Sequence, residues 1–502
     1  MYKNIIANFI GRFLSIFSNY LFIPVYISLL GMESYSIISF SLVILGITSF
    51  LDAGLTATLS REFASKEHDP QKKVRIFSTL ESCYLLVVVF IIVIFVFFSG
   101  YIATNWLKLN QLDPQKAAFY LKIIGTGVAL QLLCNFYVGG LMGLERQVKA
   151  NKYQIAWGIM RNGVVVLILY FYPTLTAFFC WQIFTTVVYV LVLRFSIVRL
   201  LLGNSRFYFK FNFDKDIIRI IGGFASGMFF ISLVQSINTQ LDKIIISKSF
   251  NVKELGYYTI ANSLAQGLLI MVGPISVALL PRLTALFSEN RSAEAVKLFH
   301  KAYLIISILV FSVAANLMFN GHNIIWAWTG NMKIADVSYK YVPFLAAGSA
   351  ILATLVFPFN IAIANKYTRL NNILGIATLM FTIPMYWFMV KRFGPIGAAF
   401  SWFLLQLIIT PVYIHYINKL FLKVKSTFQI LFKEFFLPAI ISLLVAFLFS
   451  IIKTPVTSRL FIVLWIGIAT ISTMAINIFI LVPLAQIKGV YNLVSIKSKV
   501  SK

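Results

Sequence analysis

The sequence predicts an all-α polytopic membrane protein, and three observations support that fold class. Of its 502 residues, 60% are hydrophobic and only 12% are charged, and the mean hydropathy is +0.87. Soluble domains usually carry about 25% charged residues. Long apolar runs recur along the whole chain, and most Lys and Arg residues lie between those runs. Together these features exclude a water-soluble enzyme and place the chain in lipid.

Fourteen apolar runs are long enough to cross a bilayer, which takes about 20 residues at a rise of 1.5 Å per residue. They are 5–30, 36–60, 80–103, 117–142, 154–172, 174–193, 220–247, 257–281, 302–328, 342–365, 373–390, 395–418, 435–452 and 460–484. A weak repeat links Leu30-Gly31 before the second span with Leu255-Gly256 before the eighth. Six spans in each half then predict two parallel six-helix lobes around a central cavity, followed by two additional helices.

The charge distribution predicts the orientation and the domain boundaries. Lys and Arg outnumber Asp and Glu by 43 to 16, a net charge of +27. Most of these cations fall on one side of the predicted spans, so we expect both termini in the cytoplasm and no nucleic-acid partner. The predicted domains are a lobe at 1–200, a basic linker at 201–219, a lobe at 220–422, and two helices with a cytoplasmic tail at 423–502. The linker either lies on an anionic membrane surface or is a solvated connector.

A polar stripe marks the first span. Its members fall within an arc of about 80° at 100° per residue, so one face of this helix is wet or faces protein; they are Asn4, Asn8, Arg12, Ser15 and Asn19. Arg12 and Asp52 are expected at the same depth in antiparallel spans. They either neutralise each other and lock two helices, or Arg12 offers its planar guanidinium to a diphosphate.

Further charges are expected inside other spans, where they are costly and tend to be functional. Arg161, beside Asn162, either lines a cavity or extends toward the cytoplasmic interface. The seventh span has a second polar stripe, which includes Gln235 and Thr239 and ends at Asp242 and Lys243. Adjacent residues point to different sides of a helix, so we expect Asp242 and Lys243 not to face each other. We also expect Asp52 and Asp242 to be the only carboxylates well inside spans.

Catalytic and metal-binding signatures are missing from the sequence. The histidines form no metal-binding pair, and the three cysteines lie inside apolar runs with no CxxC motif; these residues are His68, His300, His322, His415, Cys83, Cys134 and Cys180. No predicted external loop exceeds about fifteen residues, too few for a catalytic domain. We therefore expect a protein that is not an enzyme and needs no cofactor or metal.

Seven segments resemble the polysaccharide (O-antigen-type) flippases of the multidrug/oligosaccharidyl-lipid/polysaccharide exporter superfamily, and the likeness covers nearly the whole chain. The segments are NFIGRFLSIFSNYLFIPVYISLLGMESY from Asn8, FLDAGLTATLSREFA from Phe50, TQLDKIIISKSF from Thr239, ELGYYTIANSLAQ from Glu254, ALLPRLTALF from Ala278, IIWAWTGN from Ile324 and GPIGAAFSW from Gly394.

The resemblance implies an alternating-access flippase of the bacterial cytoplasmic membrane, whose substrate is an undecaprenyl-diphosphate-linked oligosaccharide used in lipopolysaccharide or other surface polysaccharide biosynthesis. Candidate substrate-cavity residues are Asn8, Arg12, Asn19, Arg161, Asn162, Gln235 and Thr239. Candidate coupling or gating residues are Asp52, Arg61, Asp242 and Lys243. A H⁺ or Na⁺ gradient is the hypothesis for coupling, and other polysaccharide assembly proteins are candidate partners.

Three alternatives remain open at this stage. A multidrug or ion antiporter of the same superfamily would need acidic cavity groups, whereas the deep charges here are mainly cations. A peptidoglycan-precursor flippase differs chiefly in its sugar headgroup. A membrane polysaccharide polymerase or glycosyltransferase is disfavoured because such enzymes usually carry a large external loop.

Overall fold

The computed structural model describes residues 20–52, 54–65, 69–203, 211–367, 369–452 and 458–482. These residues form helices joined by short turns, with a single isolated bridge between Lys108 and Asn251 as their β-type pairing. The predicted all-α polytopic membrane fold is thereby confirmed.

The helices follow one another in the order that the apolar runs predict. The first eight are α1 (Ile23–Leu30), α2 (Met32–Thr48), α3 (Leu55–Ala64), α4 (Pro70–Tyr101), α5 (Pro114–Gly143), α6 (Gln147–Gly158), α7 (Val165–Phe171) and α8 (Leu175–Leu202). The next ten are α9 (Lys215–Ser249), α10 (Val252–Ser288), α11 (Ser292–Thr329), α12 (Met332–Ser338), α13 (Val342–Ala364), α14 (Arg369–Phe393), α15 (Pro395–Ile417), α16 (Thr427–Ile430), α17 (Leu437–Ile451) and α18 (Arg459–Leu481).

Membrane-crossing segments agree with the sequence prediction over most of the chain. Within the described residues, 12 helical segments are long and apolar enough to cross a membrane, and they overlap twelve of the fourteen predicted spans. The predicted span 220–247 lies inside α9, whose 35 residues would extend about 52 Å. Of the predicted span 5–30, the part before residue 20 is outside the described residues, and α1 covers its end.

The start of α4 differs from the prediction. The apolar run begins at Leu80, but the helix begins ten residues earlier, at Pro70. Asp69 caps it by accepting a hydrogen bond from the backbone amide of Lys72, and proline suits the first helical position because it has no amide hydrogen to satisfy. Because of this extension, the charged residue Glu81 lies eleven residues after the start of the helix.

The chain divides into two compact units. The first contains the described residues of Met1–Gly256 together with Gly375–Val390, and the second contains those of Tyr257–Leu374 and Lys391–Lys502. In the first unit α9 packs on α2 and on the 3-10 turn Ser49–Asp52, where the hydroxyls of Ser49 and Ser236 are 2.9 Å apart. The lobe boundaries taken from the sequence stay a prediction.

Glycines on α5 allow the close packing of α3 in the first unit. A Cβ placed on Gly143 would overlap the carbonyl oxygen of Ser60 and lie 2.8 Å from its Cα. A Cβ on Gly139 would overlap the side chain of Thr56. Small residues let helix backbones approach closely in membranes. These two glycines therefore fix the position of α3 and of the turn before it, which carries Asp52.

Candidate functional site

Arg161 lies in a π-helical turn, Ile159–Val164, between α6 and α7. Its Nε donates a hydrogen bond to Oε1 of Gln182 on α8, and the amide nitrogen of Gln182 donates back to the Arg161 carbonyl at 3.1 Å. Its guanidinium carbon also lies 4.8 Å from the ring centroid of Trp157, a cation–π contact. One edge of the guanidinium and one of its faces are thus held by neighbouring side chains.

The π-helical turn presents three consecutive carbonyls to side chains of other helices. Trp181 donates to the carbonyl of Met160 at 2.9 Å, and Tyr26 donates to that of Asn162 at 2.7 Å. The carbonyl between them is the one bound by Gln182. Turns of this kind occur frequently at functional sites. Among the described residues, none makes a hydrogen bond or ion pair with the two terminal nitrogens of Arg161, so they are available to an anion.

Asp52 ends the 3-10 turn before α3 and is half-buried. One carboxylate oxygen, Oδ1, accepts hydrogen bonds from the hydroxyl of Tyr84 at 2.8 Å and from that of Thr56. Arg12, Asn8 and Asn19 lie outside the described residues, so the pairing of Arg12 with Asp52 stays a prediction.

Asp242 and Lys243 contact each other, and the expectation that they would not is wrong. The Lys243 ammonium nitrogen lies 3.2 Å from Oδ1 of Asp242 and 3.3 Å from the carbonyl of Thr239. The lysine side chain is long and flexible enough to fold back along the helix surface, whereas the expectation considered only Cβ directions. Both side chains are largely buried, at 12% and 8% exposure for Lys243 and Asp242, so α9 carries a nearly neutral pair here.

The other predicted site residues are dispersed. Gln235 and Thr239 are exposed on α9, where the Thr239 hydroxyl is bonded to its own helix. Arg61 is exposed near the end of α3 and forms an ion pair with Glu62 at 2.7 Å. Their roles in the cavity or its gates remain predictions.

A buried ion pair that the sequence analysis missed joins α4, α5 and α8. Arg194 Nε donates to Oε1 of Glu81 at 2.8 Å, and the hydroxyl of Tyr137 donates to the same oxygen at 2.6 Å. Glu81 is 3% exposed. The sequence analysis named only Asp52 and Asp242 as carboxylates well inside spans and did not consider Glu81. The signal was available, because Glu81 is the second residue of the predicted span 80–103.

A second buried carboxylate, Glu33, lies at the start of α2. It accepts hydrogen bonds from the three backbone amides of residues 110–112, at 3.0 to 3.1 Å, and lies 3.6 Å from the Lys253 ammonium. The same loop is bonded to the end of α9, since Trp106 donates to Ser247 at 3.0 Å. Glu33 thus fastens this loop to the beginning of the transmembrane helix.

In the described part of the chain, no group of three or more His, Cys, Asp or Glu side chains could hold a metal ion. The groups present at the candidate site are instead a guanidinium, carboxylates, hydroxyls and amides. In such a set the guanidinium can bind an anion and a carboxylate can bind a proton.

Known proteins resemble this chain in sequence and in fold. A Shigella flexneri protein named "Putative O-antigen transporter" is 23% identical over 375 residues, which cover 74% of this chain and 87% of the relative. The fold is similar to that of the lipid II flippase MurJ in an inward closed conformation, with a TM-score of 0.71 and 15% identity, covering 96% of this chain and all of MurJ.

A multidrug resistance MATE family transporter of the MOP superfamily, in an inward-facing conformation, is also similar in fold. The TM-score is 0.62 with 14% identity, over 82% of this chain and 96% of the transporter. The sequence profile described as "Polysaccharide biosynthesis protein" matches residues 1–287, more than half of the chain. With that match and a fold shared with flippases and exporters, this multi-pass membrane protein belongs to the polysaccharide biosynthesis protein family.

Proposed function

We propose that this protein is a flippase that carries an undecaprenyl-diphosphate-linked oligosaccharide from the inner to the outer leaflet of the bacterial cytoplasmic membrane. The oligosaccharide is the repeat unit of an O-antigen or another surface polysaccharide. The protein has both termini in the cytoplasm and works by alternating access. The observation that carries the proposal is the fixed guanidinium of Arg161, whose two terminal nitrogens have no partner among the described residues.

The chemistry of such a substrate requires a group of this kind. A diphosphate cannot enter hydrocarbon without a compensating charge, and each unpaired polar group of the sugars adds several kcal/mol. An arginine offers two parallel N–H groups that match two phosphate oxygens, and fixing its Nε beforehand reduces the entropy lost on binding. Gln182 and Trp157 hold Arg161 in that prepared state.

Coupling is proposed to rest on the carboxylates Asp52 and Asp242. Transport of a bulky anionic headgroup against its leaflet preference needs an energy source, and a H⁺ or Na⁺ gradient acts through ionisable groups inside the membrane. Asp52 is bonded to two hydroxyls, and Asp242 lies beside Lys243. Replacing both by asparagine should abolish transport if either one carries the coupling ion.

Two other substrates are carried by proteins of similar fold. The fold shared with the lipid II flippase MurJ favours a peptidoglycan precursor as the second candidate, because it too is a lipid-linked saccharide. The fold shared with a multidrug resistance transporter favours a cationic drug as the third candidate. Arg161 argues against the drug, since a free guanidinium repels cations.

The test uses cells deleted for this gene. We expect the lipid-linked repeat unit to accumulate on the inner leaflet and surface polysaccharide to disappear. The wild-type gene should end the accumulation and restore surface polysaccharide. Hydrogen bonds to charged groups contribute about 1.5 to 3 kcal/mol. Arg161→Ala should therefore lower flipping roughly ten- to hundredfold, and Arg161→Lys should restore only part of it because lysine lacks the paired N–H groups.

Arg199→Ala is the matched control, because Arg199 is an exposed arginine near the end of α8. It should leave transport unchanged at equal protein level. Normal surface polysaccharide in the deletion, combined with loss of ethidium efflux, would contradict the proposal and favour the drug exporter. Accumulation of the peptidoglycan precursor alone would favour the second candidate.

A further inference from the structure

A cluster of buried polar side chains connects α11, α17 and α18 in the second unit. Its five members, which we call the three-helix polar cluster, are each at most 1% exposed; they are Ser312, Asn316, Ser442, Thr473 and Asn477. Intramembrane polar groups are costly unless they are bonded. We therefore expect every donor and acceptor of the cluster to have a partner.

The orientation of both asparagine amides is determined by their hydrogen bonds. The Asn316 nitrogen donates to the Ser312 carbonyl at 2.9 Å and to the Thr473 hydroxyl at 3.2 Å. The Asn477 nitrogen donates to the Thr473 carbonyl at 2.9 Å and to the Ser442 hydroxyl at 3.1 Å. Turning either amide over would place its oxygen against a backbone carbonyl, so this assignment is the stable one.

Both amide oxygens are left without a partner. Oδ1 of Asn316 and Oδ1 of Asn477 are buried and accept no hydrogen bond within the described residues. Each unpaired buried acceptor costs about 1 to 3 kcal/mol. Both amide nitrogens are bonded to Thr473, that of Asn316 to its hydroxyl and that of Asn477 to its carbonyl, so the two side chains contact the same residue of α18. Each of these neighbouring side chains keeps an unpartnered acceptor, which a ligand that supplies positive charge would satisfy.

The donor set selects the class of ligand. Amide and hydroxyl oxygens are hard ligands of the kind that binds Na⁺, K⁺ and Ca²⁺. A divalent ion in this interior would need carboxylates to balance its charge, and the cluster has none. Asn316 stands 13 residues before the end of α11 at Thr329, about 20 Å along the helix axis. Asn316 is therefore well inside α11, whereas Asn477 lies four residues before the end of α18 at Leu481.

We propose that the three-helix polar cluster is a binding site for a monovalent alkali cation. The amide oxygens of Asn316 and Asn477 are its principal ligands, and the hydroxyl oxygens of Ser312, Ser442 and Thr473 supplement them. Binding ties α17 and α18 to α11. The proposal concerns the second unit alone and does not depend on which substrate the protein carries.

The experiment measures the apparent Tm of the purified full-length protein in detergent, in NaCl, KCl or choline chloride at constant ionic strength. A bound cation stabilises the folded state in proportion to the logarithm of its concentration above Kd. We expect Tm to rise with the logarithm of the Na⁺ or K⁺ concentration, relative to choline. Asn316→Leu and Asn477→Leu should remove this dependence.

Two further variants keep the test decisive if a leucine variant fails to fold. Asn316→Asp adds a carboxylate to the cluster, so the apparent affinity for the cation should increase about tenfold or more, which a purely structural role would not produce. Asn360→Leu is the matched control, because Asn360 is a buried asparagine of the same unit bonded to Ser276. It should lower Tm but keep the cation dependence. Equal Tm in all three salts, with no gain in Asn316→Asp, would overturn the proposal.

Discussion

The two units differ in how they keep polar side chains inside the membrane. In the first unit three carboxylates are buried, Glu33, Glu81 and Asp242, and each has a cation within 4 Å. In the described part of the second unit the buried polar side chains are neutral serines, threonines, asparagines and a glutamine. The first unit thus buries paired charges in addition to neutral polar groups, whereas the described part of the second buries amides and hydroxyls.

This difference indicates where single substitutions should change the free energy of unfolding most. Removing one partner of a buried ion pair leaves an uncompensated charge and costs about 3 to 5 kcal/mol. Hydrogen bonds between neutral side chains in membrane proteins average about 0.6 kcal/mol. The first unit should therefore be sensitive to changes of charge, whereas the second should depend on the cooperation of many weak contacts.

The largest effect is expected at the Glu81–Arg194 pair. Glu81→Ala removes the carboxylate that accepts from Arg194 and Tyr137, so it should lower the free energy of unfolding by about 3 to 5 kcal/mol. Thermal unfolding in detergent measures the change. Arg291→Ala is the control, because its ion pairs with Glu289 and Glu294 are exposed.

A double variant sharpens the same comparison. Replacing both Glu81 and Arg194 by leucine removes the two charges together, and such replacements of buried pairs are often neutral or stabilising. We expect the double variant to be more stable than Glu81→Ala. If Glu81→Ala is no less stable than Arg291→Ala, the buried ion pair of the first unit does not hold α4 and α8 together.

A smaller effect is expected where α3 packs on α5. Gly143→Ala would place a methyl group against the backbone of Ser60, so α3 must shift, at a cost of about 1 to 3 kcal/mol. Gly127→Ala on the same helix is the matched control, since its nearest neighbour would be Ile183 at 3.8 Å, an ordinary contact. Unfolding measurements that give equal losses for the two variants would contradict close packing at Gly143.

Sequence alone predicted the fold class because lipid permits few solutions: a spanning segment needs about 20 apolar residues and must be helical or part of a barrel. It also made Arg161 a candidate, since a cation inside an apolar run is conspicuous. It did not predict the partners of these groups. Gln182, for example, is bonded to Arg161 although it is 21 positions away on α8, and no pattern in one sequence encodes that contact.

Pairings distant in the chain were the least predictable. Glu81 and Arg194 are 113 positions apart, and Asn316 and Thr473 are 157 apart. Hydrophobic runs specify that each helix exists but not its rotation, so they do not say which polar side chains meet. The Asp242–Lys243 contact was missed for a different reason, because side-chain flexibility overrode the helix geometry.

The smallest effect is expected at an ion pair outside the hydrocarbon region. Asp214 caps α9 through the backbone amides of Asp216 and Ile217, and its other oxygen accepts from Arg75 Nε at 3.1 Å. The hydrogen bonds from Arg75, followed by those of the helix amides, lower the pKa of Asp214 below its ordinary value of 3.8. A lowered pKa in the folded state means that ionised Asp214 stabilises the protein at neutral pH, and that this contribution is lost as the pH falls through the folded-state pKa.

Asp214→Asn removes the charge but keeps the helix cap, because asparagine also caps helices well. We expect the variant to have a slightly lower Tm than the wild type at pH 6, and the difference to shrink as the pH falls below 3.8 and to vanish below the folded-state pKa. Thermal unfolding between pH 3 and pH 6 gives the measurement. A difference that stays constant to the lowest pH would show that the pair acts through its hydrogen bonds alone. Solvent screens this pair, so its effect should remain well below that of Glu81, whose carboxylate is enclosed by the helices themselves.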